Sequence, residues 1–505
     1  MFVILRQISA LVALVLCISS ASAQNPPGYL QGVLGANKLD LASQYLGYAS
    51  NGDGSPPYMA VLPAMGKRAI QDAGDLGLRF MRVMAAGYGP VTQADLKVPG
   101  RNPLALWQSD PTTYWARMDA MFNDLSTYGV KIVPVFVWNP FEFPAMTGET
   151  LNALVTNPNS KSRALLKQYI SGFITRYQSR SSILFYELTN ELNLETDIDI
   201  VGGCQAAGPS ADCSAYANIT TAQLNSFATA MVKFIHTLDT SHQIGSGYTL
   251  PRASAYHLMA QPGFSASGPD WTNDTQAQFQ TVELSLHTPF DLMSIHLYPG
   301  DVRWGNPAGS EYLTLDGAAA AATAAGKKLY VGEFGANTVS PFLSSVLPRL
   351  SYDKVAYAAV WVWEFYQANT YQNTDITFAA NSTYEPGFTD SFNATFQQAA
   401  GTPTFTDRGT PRVVLTSPLP CTKLPAGTVA LYASASANAP VQKVTFSVDG
   451  QAAGTTTAPP YHVYYKVSGT GLHTVTATAF TSSKSAASTS QVVFQSSQRT
   501  CNAGG

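Results

Sequence analysis

The sequence predicts an α/β protein, a (β/α)8 barrel of the TIM type, followed by a small all-β sandwich. Three observations predict it. Between residues 30 and 395, short apolar strand-like runs alternate with helix-like segments, a pattern that implies a parallel sheet covered by helices. Eight such units can be counted along this stretch, the number that closes a barrel. Past residue 411 the helical pattern stops, and only short β-branched runs with turn signals remain.

The eight strand runs are, in order, LQGVLGAN (30–37), LRFMRVM (78–84), VKIVPVFVW (130–138), ILFYELTN (183–190), QIGSGY (243–248), DLMSIHLY (291–298), KLYVGEFG (328–335) and VAYAAVWVW (355–363). Helix-like segments such as YWARMDAMFNDLSTYG (114–129), SRALLKQYISGFITRYQS (162–179) and TAQLNSFATAMVKFIHTL (221–238) lie between them. A doubly wound open sheet is the alternative, but no GxGxxG follows the first strand. Long inserts at 139–160, 192–220 and 249–289 would shape any cleft at the barrel mouth.

The segment QQAAGTPTFTDRGTPR (396–411) has the composition of a linker. It places the barrel at 24–397, the linker at 398–411 and the sandwich at 412–505. TVALYASA, VQKVTFSVDG, YHVYYKV, HTVTATAF and STSQVVF are its strand runs, with a DG turn signal at 449–450. On VTFSVDG, APPYH and GLHTVTATAF, this unit resembles the bacterial immunoglobulin-like modules appended to secreted hydrolases.

Residues 1–23 read as a signal peptide: Arg6, then the apolar LVALVLCIS (11–19), then ASA before Gln24. The apolar run is too short to span a bilayer. The expectation is a secreted chain with no membrane association after cleavage. Of five cysteines, Cys17 leaves with the leader. In an exported chain the remaining four suggest disulfides. Cys204–Cys213 and Cys421–Cys501 are the favoured pairs among three connectivities. Zinc lacks support, because there is no CxxC pair or His cluster. Four glycosylation sequons, at Asn218, Asn273, Asn381 and Asn393, matter only if the host glycosylates. Charged residues are only 12% of the chain and the net charge is −3, which gives no electrostatic reason to expect nucleic acid as a partner.

Chemistry concentrates at strand ends. In SILFYELTNELN (182–193), Ile183, Phe185, Glu187, Thr189 and Glu191 share one strand parity, and Leu184, Tyr186, Leu188 and Asn190 the other. The polar parity should face the barrel interior. Glu191 then stands at the C-terminal mouth, where barrel active sites are built, and Glu187 about a layer deeper as a buried structural carboxylate. Asn190 breaks the alternation unless the strand twists at its rim. Glu333, between Gly332 and Gly335, ends another strand, and the two glycines would allow a ligand close approach. Ser294, His296 and Tyr298 share one face of DLMSIHLY. Two carboxylates opposed across a mouth, with His, Tyr and Asn around them, suit glycosidic bond cleavage.

On these residues the chain resembles clan A glycoside hydrolases, most closely family 5, the cellulase and mannanase group. The likeness covers residues 30–395. It implies Glu191 as acid/base and Glu333 as nucleophile of a retaining β-glycosidase. It also implies Arg82, Asn190, His296 and Tyr298 as substrate-site residues, and Trp363, with Trp361 as runner-up, as the eighth-strand Trp. The His that the family carries after its third strand is replaced here by Trp138 and Asn139, which leaves the substrate open. Trp138 and Trp304 suit stacking on sugar rings as well as packing. Glu142, Glu195 and Glu364 are read as peripheral. In this mechanism burial and the neighbouring Glu333 would raise the Glu191 pKa. Arg82 would keep Glu333 ionised, and Asn190 would contact the sugar's 2-hydroxyl. The expected partner is a β-linked polysaccharide or oligosaccharide, with no cofactor and no metal. A transglycosylase would use the same residues, and a non-catalytic carbohydrate-binding protein would need neither glutamate.

Overall fold

The computed structural model describes residues 33–48, 61–363 apart from short breaks and the segment 200–217, the pairs 366–367 and 370–371, and most of 411–494. The expected leader, Glu364, Asn381, Asn393, the expected linker up to residue 410 and all five cysteines lie outside the described residues.

Eight strands form one sheet: β1 (Val33–Asn37), β2 (Phe80–Met84), β3 (Lys131–Val137), β4 (Tyr186–Thr189), β5 (Ile244–Gly245), β6 (Leu292–Leu297), β7 (Lys328–Phe334) and β8 (Tyr357–Val360). Their order is β5-β4-β3-β2-β1-β8-β7-β6, and each of the pairings is parallel. The two ends of this order meet. Asp291 N–H donates to the Ile244 carbonyl (3.0 Å), and the Asp291 carboxylate accepts from Ile244 N–H (2.8 Å). Ser294 Oγ accepts from Gly247 N–H (2.9 Å) and bonds Ser246 Oγ (2.5 Å). The barrel is therefore closed at a seam held mainly by side chains. β5 is shorter than the run that predicts it because Gly247 turns into the left-handed region (φ 73°) and ends it.

Strand alternation separates two cores. Phe80, Val133, Phe185, Leu292, Tyr330 and Ala359 fill the barrel interior. The opposite parity, including Met81, Ile132, Phe136, Tyr186, Leu188 and Ile295, packs outward under the helices. The helices start where their sequences supply side-chain caps. Ser160 accepts from Arg163 N–H, and Thr220 with Gln223 and Thr275 with Gln278 form reciprocal capping boxes. Among the described residues, no helix is long and apolar enough to cross a membrane.

After a two-strand hairpin, β9 (Tyr366–Gln367) and β10 (Thr370–Tyr371), the C-terminal unit begins. Its strands are β11 (Arg412–Ser417), β12 (Lys423–Leu424), β13 (Gly427–Ser436), β14 (Lys443–Val448), β15 (Gln451–Thr456), β16 (Tyr461–Val467), β17 (Gly471–Phe480) and β18 (Ser485–Phe494). They form sheets β11-β13-β16 and β12-β18-β17-β14-β15 around a separate core that includes Leu415, Leu431, Phe446, Val475, Val492 and Phe494. The DG signal is the β14–β15 turn, with Asp449 and Gly450 both at positive φ, as a type I′ hairpin requires.

Candidate active site

The site is built upward from Arg82, whose side chain is fully buried one layer above Phe80 on β2. Its Nε donates to Glu187 Oε2 (2.5 Å), Nη1 to Glu333 Oε1 (2.8 Å) and Asn37 Oδ1 (3.2 Å), and Nη2 to Asn190 Oδ1 (2.8 Å). The Trp138 ring covers the guanidinium at 4.6 Å. Taking a cation out of water costs several kcal/mol unless opposite charges meet it, so the two carboxylates and Arg82 depend on one another. Burial alone would lower the Arg82 pKa, but the charges of Glu187 and Glu333 outweigh it and hold the pKa up. Burial raises the Glu187 pKa against the pull of Arg82.

Asn190 and Glu191 both reach the site although they are neighbours in sequence. Asn190 N–H still pairs with the Val137 carbonyl (2.8 Å), and Glu191 N–H with the Gly247 carbonyl (2.8 Å). Between them the strand breaks, because Glu191 sits at φ 50°, a conformation that costs a non-glycine residue about 1–2 kcal/mol. This turn is how the alternation fails at Asn190.

His296, buried at the end of β6, places Nδ1 2.7 Å from Glu191 Oε1 and 3.6 Å from Glu333 Oε2. Its Nε2 is buried without a hydrogen-bond partner against Gly332, where a Cβ would stand 2.9 Å away. A Cβ on Gly335 would meet the Trp361 carbonyl at 2.7 Å. The two glycines thus make room for His296 and the β8 backbone, not for a ligand as the sequence suggested. Against an ionised Glu191, Nδ1 can only donate, so this hydrogen bond runs from the His296 Nδ1–H to Glu191 Oε1. Tyr298 OH donates to Glu333 Oε2 (2.6 Å). Burial and the Glu333 charge keep its pKa well above the usual tyrosine value, so it remains a donor.

One expectation reverses. Burial does push the Glu191 pKa up, but the His296 hydrogen bond and the Arg82 and His296 charges outweigh it, and the net shift is downward. The Glu191 side chain keeps 32% of its exposure and opens to the cleft. Glu191, His296 and Glu333 place one ligand atom each within 4.8 Å of one another, close enough to hold a metal ion. Both Glu333 oxygens, however, already accept from Arg82 and Tyr298.

The structure brings together Arg82, Trp138, Asn190, Glu191, His296, Tyr298 and Glu333. It does not bring Trp363, which turns outward, joins the helix-side core and donates its Nε1–H to the Ala69 carbonyl (3.2 Å). Trp361 stands at the site instead, stacked on Trp138 (6.4 Å between centroids, 21°). Trp304 packs edge-on to Phe279 and over Gly317, away from the site. Glu142 is fully buried and accepts from Gly89 N–H (3.2 Å). Sequence reasoning missed Asn37, whose Nδ2 donates to the Gly332 carbonyl (2.9 Å) while its Oδ1 takes an Arg82 bond. The available signal was a lone polar residue closing an apolar first strand.

In comparison with known proteins, residues 411–477 match the family described as a bacterial Ig domain. The chain is 24% identical over 260 residues to mannan endo-1,4-beta-mannosidase A of Podospora anserina, covering 49% of this chain and 59% of that protein. The chain thus spans less than two thirds of that relative's length. Similar solved structures include an endo-beta-1,4-mannanase from Thermotoga petrophila (14% identity, 93% of this chain, 98% of that one, TM-score 0.45). Another is an endo-1,4-beta-mannanase from Rhizomucor miehei (17%, 68% and 88%, TM-score 0.43). A beta-glucuronidase from Bacteroides uniformis is also similar (13%, 93% and 46%, TM-score 0.41).

Proposed function

We propose that this chain is a secreted, retaining β-glycoside hydrolase acting on a β-linked polysaccharide, with β-mannan the favoured substrate. One observation carries the reaction type: carboxylate oxygens of Glu191 and Glu333 lie within 4.8 Å of each other, on opposite strands of a barrel mouth. Retaining enzymes hold their carboxyl groups about 5–5.5 Å apart and inverting ones about 6.5–9.5 Å. The Podospora anserina relative supports mannan over other β-glycans. The leader at 1–23 supports export.

Glu333, held by Arg82 and Tyr298, attacks the anomeric carbon. Glu191 in its protonated form delivers a proton to the departing oxygen, then takes one from the water that releases the sugar. The oxygen of the Asn190 amide is tied to Arg82, which leaves its NH2 to donate to the sugar's 2-hydroxyl. Trp361, stacked on Trp138, offers a ring face to the sugar's C–H groups.

Azide rescue tests the two roles. Glu333→Gly removes the nucleophile, so azide attacks an activated β-glycoside once and yields the α-glycosyl azide. Glu191→Gly still forms the glycosyl-enzyme, and azide then yields the β-glycosyl azide. Proton NMR at the anomeric position reads both. The opposite products would exchange the roles, and inversion by the wild type would end the double-displacement reading.

A further inference from the structure

The loops that follow β4, β5 and β6 are tied into one wall beside Glu191. Asn193 Nδ2 donates to the Thr249 carbonyl (2.8 Å), and Thr249 N–H returns a bond to Asn193 Oδ1 (3.2 Å). Arg303 Nε donates to the Pro251 carbonyl (3.0 Å), which joins the third loop to the second. Asp301 accepts from Tyr298 N–H (2.7 Å), so the wall begins next to the tyrosine that holds Glu333. Asp199 and Asp301 both feel the charge of Glu191.

Arg252 stands on this wall. Its Nε pairs with Asp199. Asp199 is only 9% exposed, yet 61% of the Arg252 side chain is open to solvent. The arginine is thus anchored by one nitrogen, and among the described residues its two terminal nitrogens have no hydrogen-bond partner. Anchoring removes much of the entropy cost of holding a long side chain still, so these terminal donors are preorganised. The opposite side of the mouth is different in kind, with Asn37 from β1, Arg82 from β2, and Trp138 and Trp361 after β3 and β8.

The two sides imply a direction. An acid that protonates a glycosidic oxygen must touch the sugar that departs with it, so the departing sugar lies against the Glu191 wall. We infer that Arg252 is a specificity residue for that departing sugar, donating guanidinium hydrogen bonds to its hydroxyls. The inference rests on the glycosidase reading above. It also makes Arg252 a contact for any incoming acceptor, because an acceptor enters where the first sugar left.

The test compares two substrates with one glycone: an oligosaccharide that the wild type cleaves, and the aryl glycoside with a dinitrophenyl leaving group. Arg252→Ala should lower kcat/KM for the oligosaccharide about tenfold or more, as expected for a charged donor lost from a neutral hydroxyl. The aryl glycoside should change less than about twofold, since it places no sugar on this wall. Arg252→Lys should recover part of the loss. Equal losses on both substrates, or none on either, would overturn the role of Arg252 while leaving the glycosidase reading intact. A wild type that cleaves neither kind of substrate in any sugar series would overturn both.

Discussion

A single nitrogen, His296 Nδ1, faces both carboxylates of the site, 2.7 Å from Glu191 and 3.6 Å from Glu333. Its hydrogen bond stabilises Glu191 as the anion and is among the causes that hold its pKa down. The protonated acid therefore becomes scarce as pH rises, and activity should be greatest on the acid side of neutrality. His296→Ala removes the donor and raises the proton affinity of Glu191. The alkaline limb of kcat/KM against pH should move to higher pH in that variant, even as the maximum falls. An alkaline limb that moves down would show that His296 is not the group that stabilises the anion.

Glu142 should reveal itself in stability and not in catalysis. Burial raises its pKa well above the ordinary 4.5, so the folded chain keeps a proton that the unfolded chain releases. Its contribution is full below that ordinary value and is lost as pH rises towards the folded value, at up to about 1.4 kcal/mol per pH unit. Glu142→Gln cannot ionise. Between about pH 5 and 8, its thermal midpoint should fall less with pH than that of the wild type.

The two tryptophans of the eighth strand should part company. Trp361→Ala removes a ring from the cleft and should cost activity at least about tenfold with little change in midpoint. Trp363→Ala empties a packed site under the helix Val61–Leu76 and should destabilise by about 3–5 kcal/mol. Trp363→Phe should be folded and active. Thermal unfolding and kcat measured on each variant distinguish the two.

The barrel and the sandwich have separate apolar cores, although β11 runs beside the helix Val61–Leu76. A chain ending near Thr402 should fold and keep most of its activity on small substrates. Circular dichroism and rates on an aryl glycoside report this. Unfolding of the truncated chain would mean that the β11 contact is integral to the barrel.

Much of the barrel was legible because a period of two survives in short apolar strands. Phe185 and Glu187 point inward and Tyr186 and Leu188 outward, as parity requires. What parity cannot show is a change of backbone. Trp361 and Trp363 share a parity, yet the chain turns after β8 and sends them to opposite faces. Asn37 was hidden because its role is set by Gly332 and Arg82, far away in sequence. The downward Glu191 shift was hidden for the same reason, since it depends on which side chain the closed barrel sets beside the carboxylate.

The left-handed backbone at Glu191 sets the fold and the chemistry at odds. Glycine would relax the backbone there while taking from the buried His296 Nδ1 its Glu191 partner, so Glu191→Gly, dead as an acid, should be about as stable as the wild type. Asparagine also tolerates this conformation better than glutamate does. A descendant released from selection for turnover would thus meet no folding barrier to losing its proton donor. At this position only catalysis keeps a glutamate in place, and inactive barrels derived from such a chain should lose residue 191 early and without harm to their architecture.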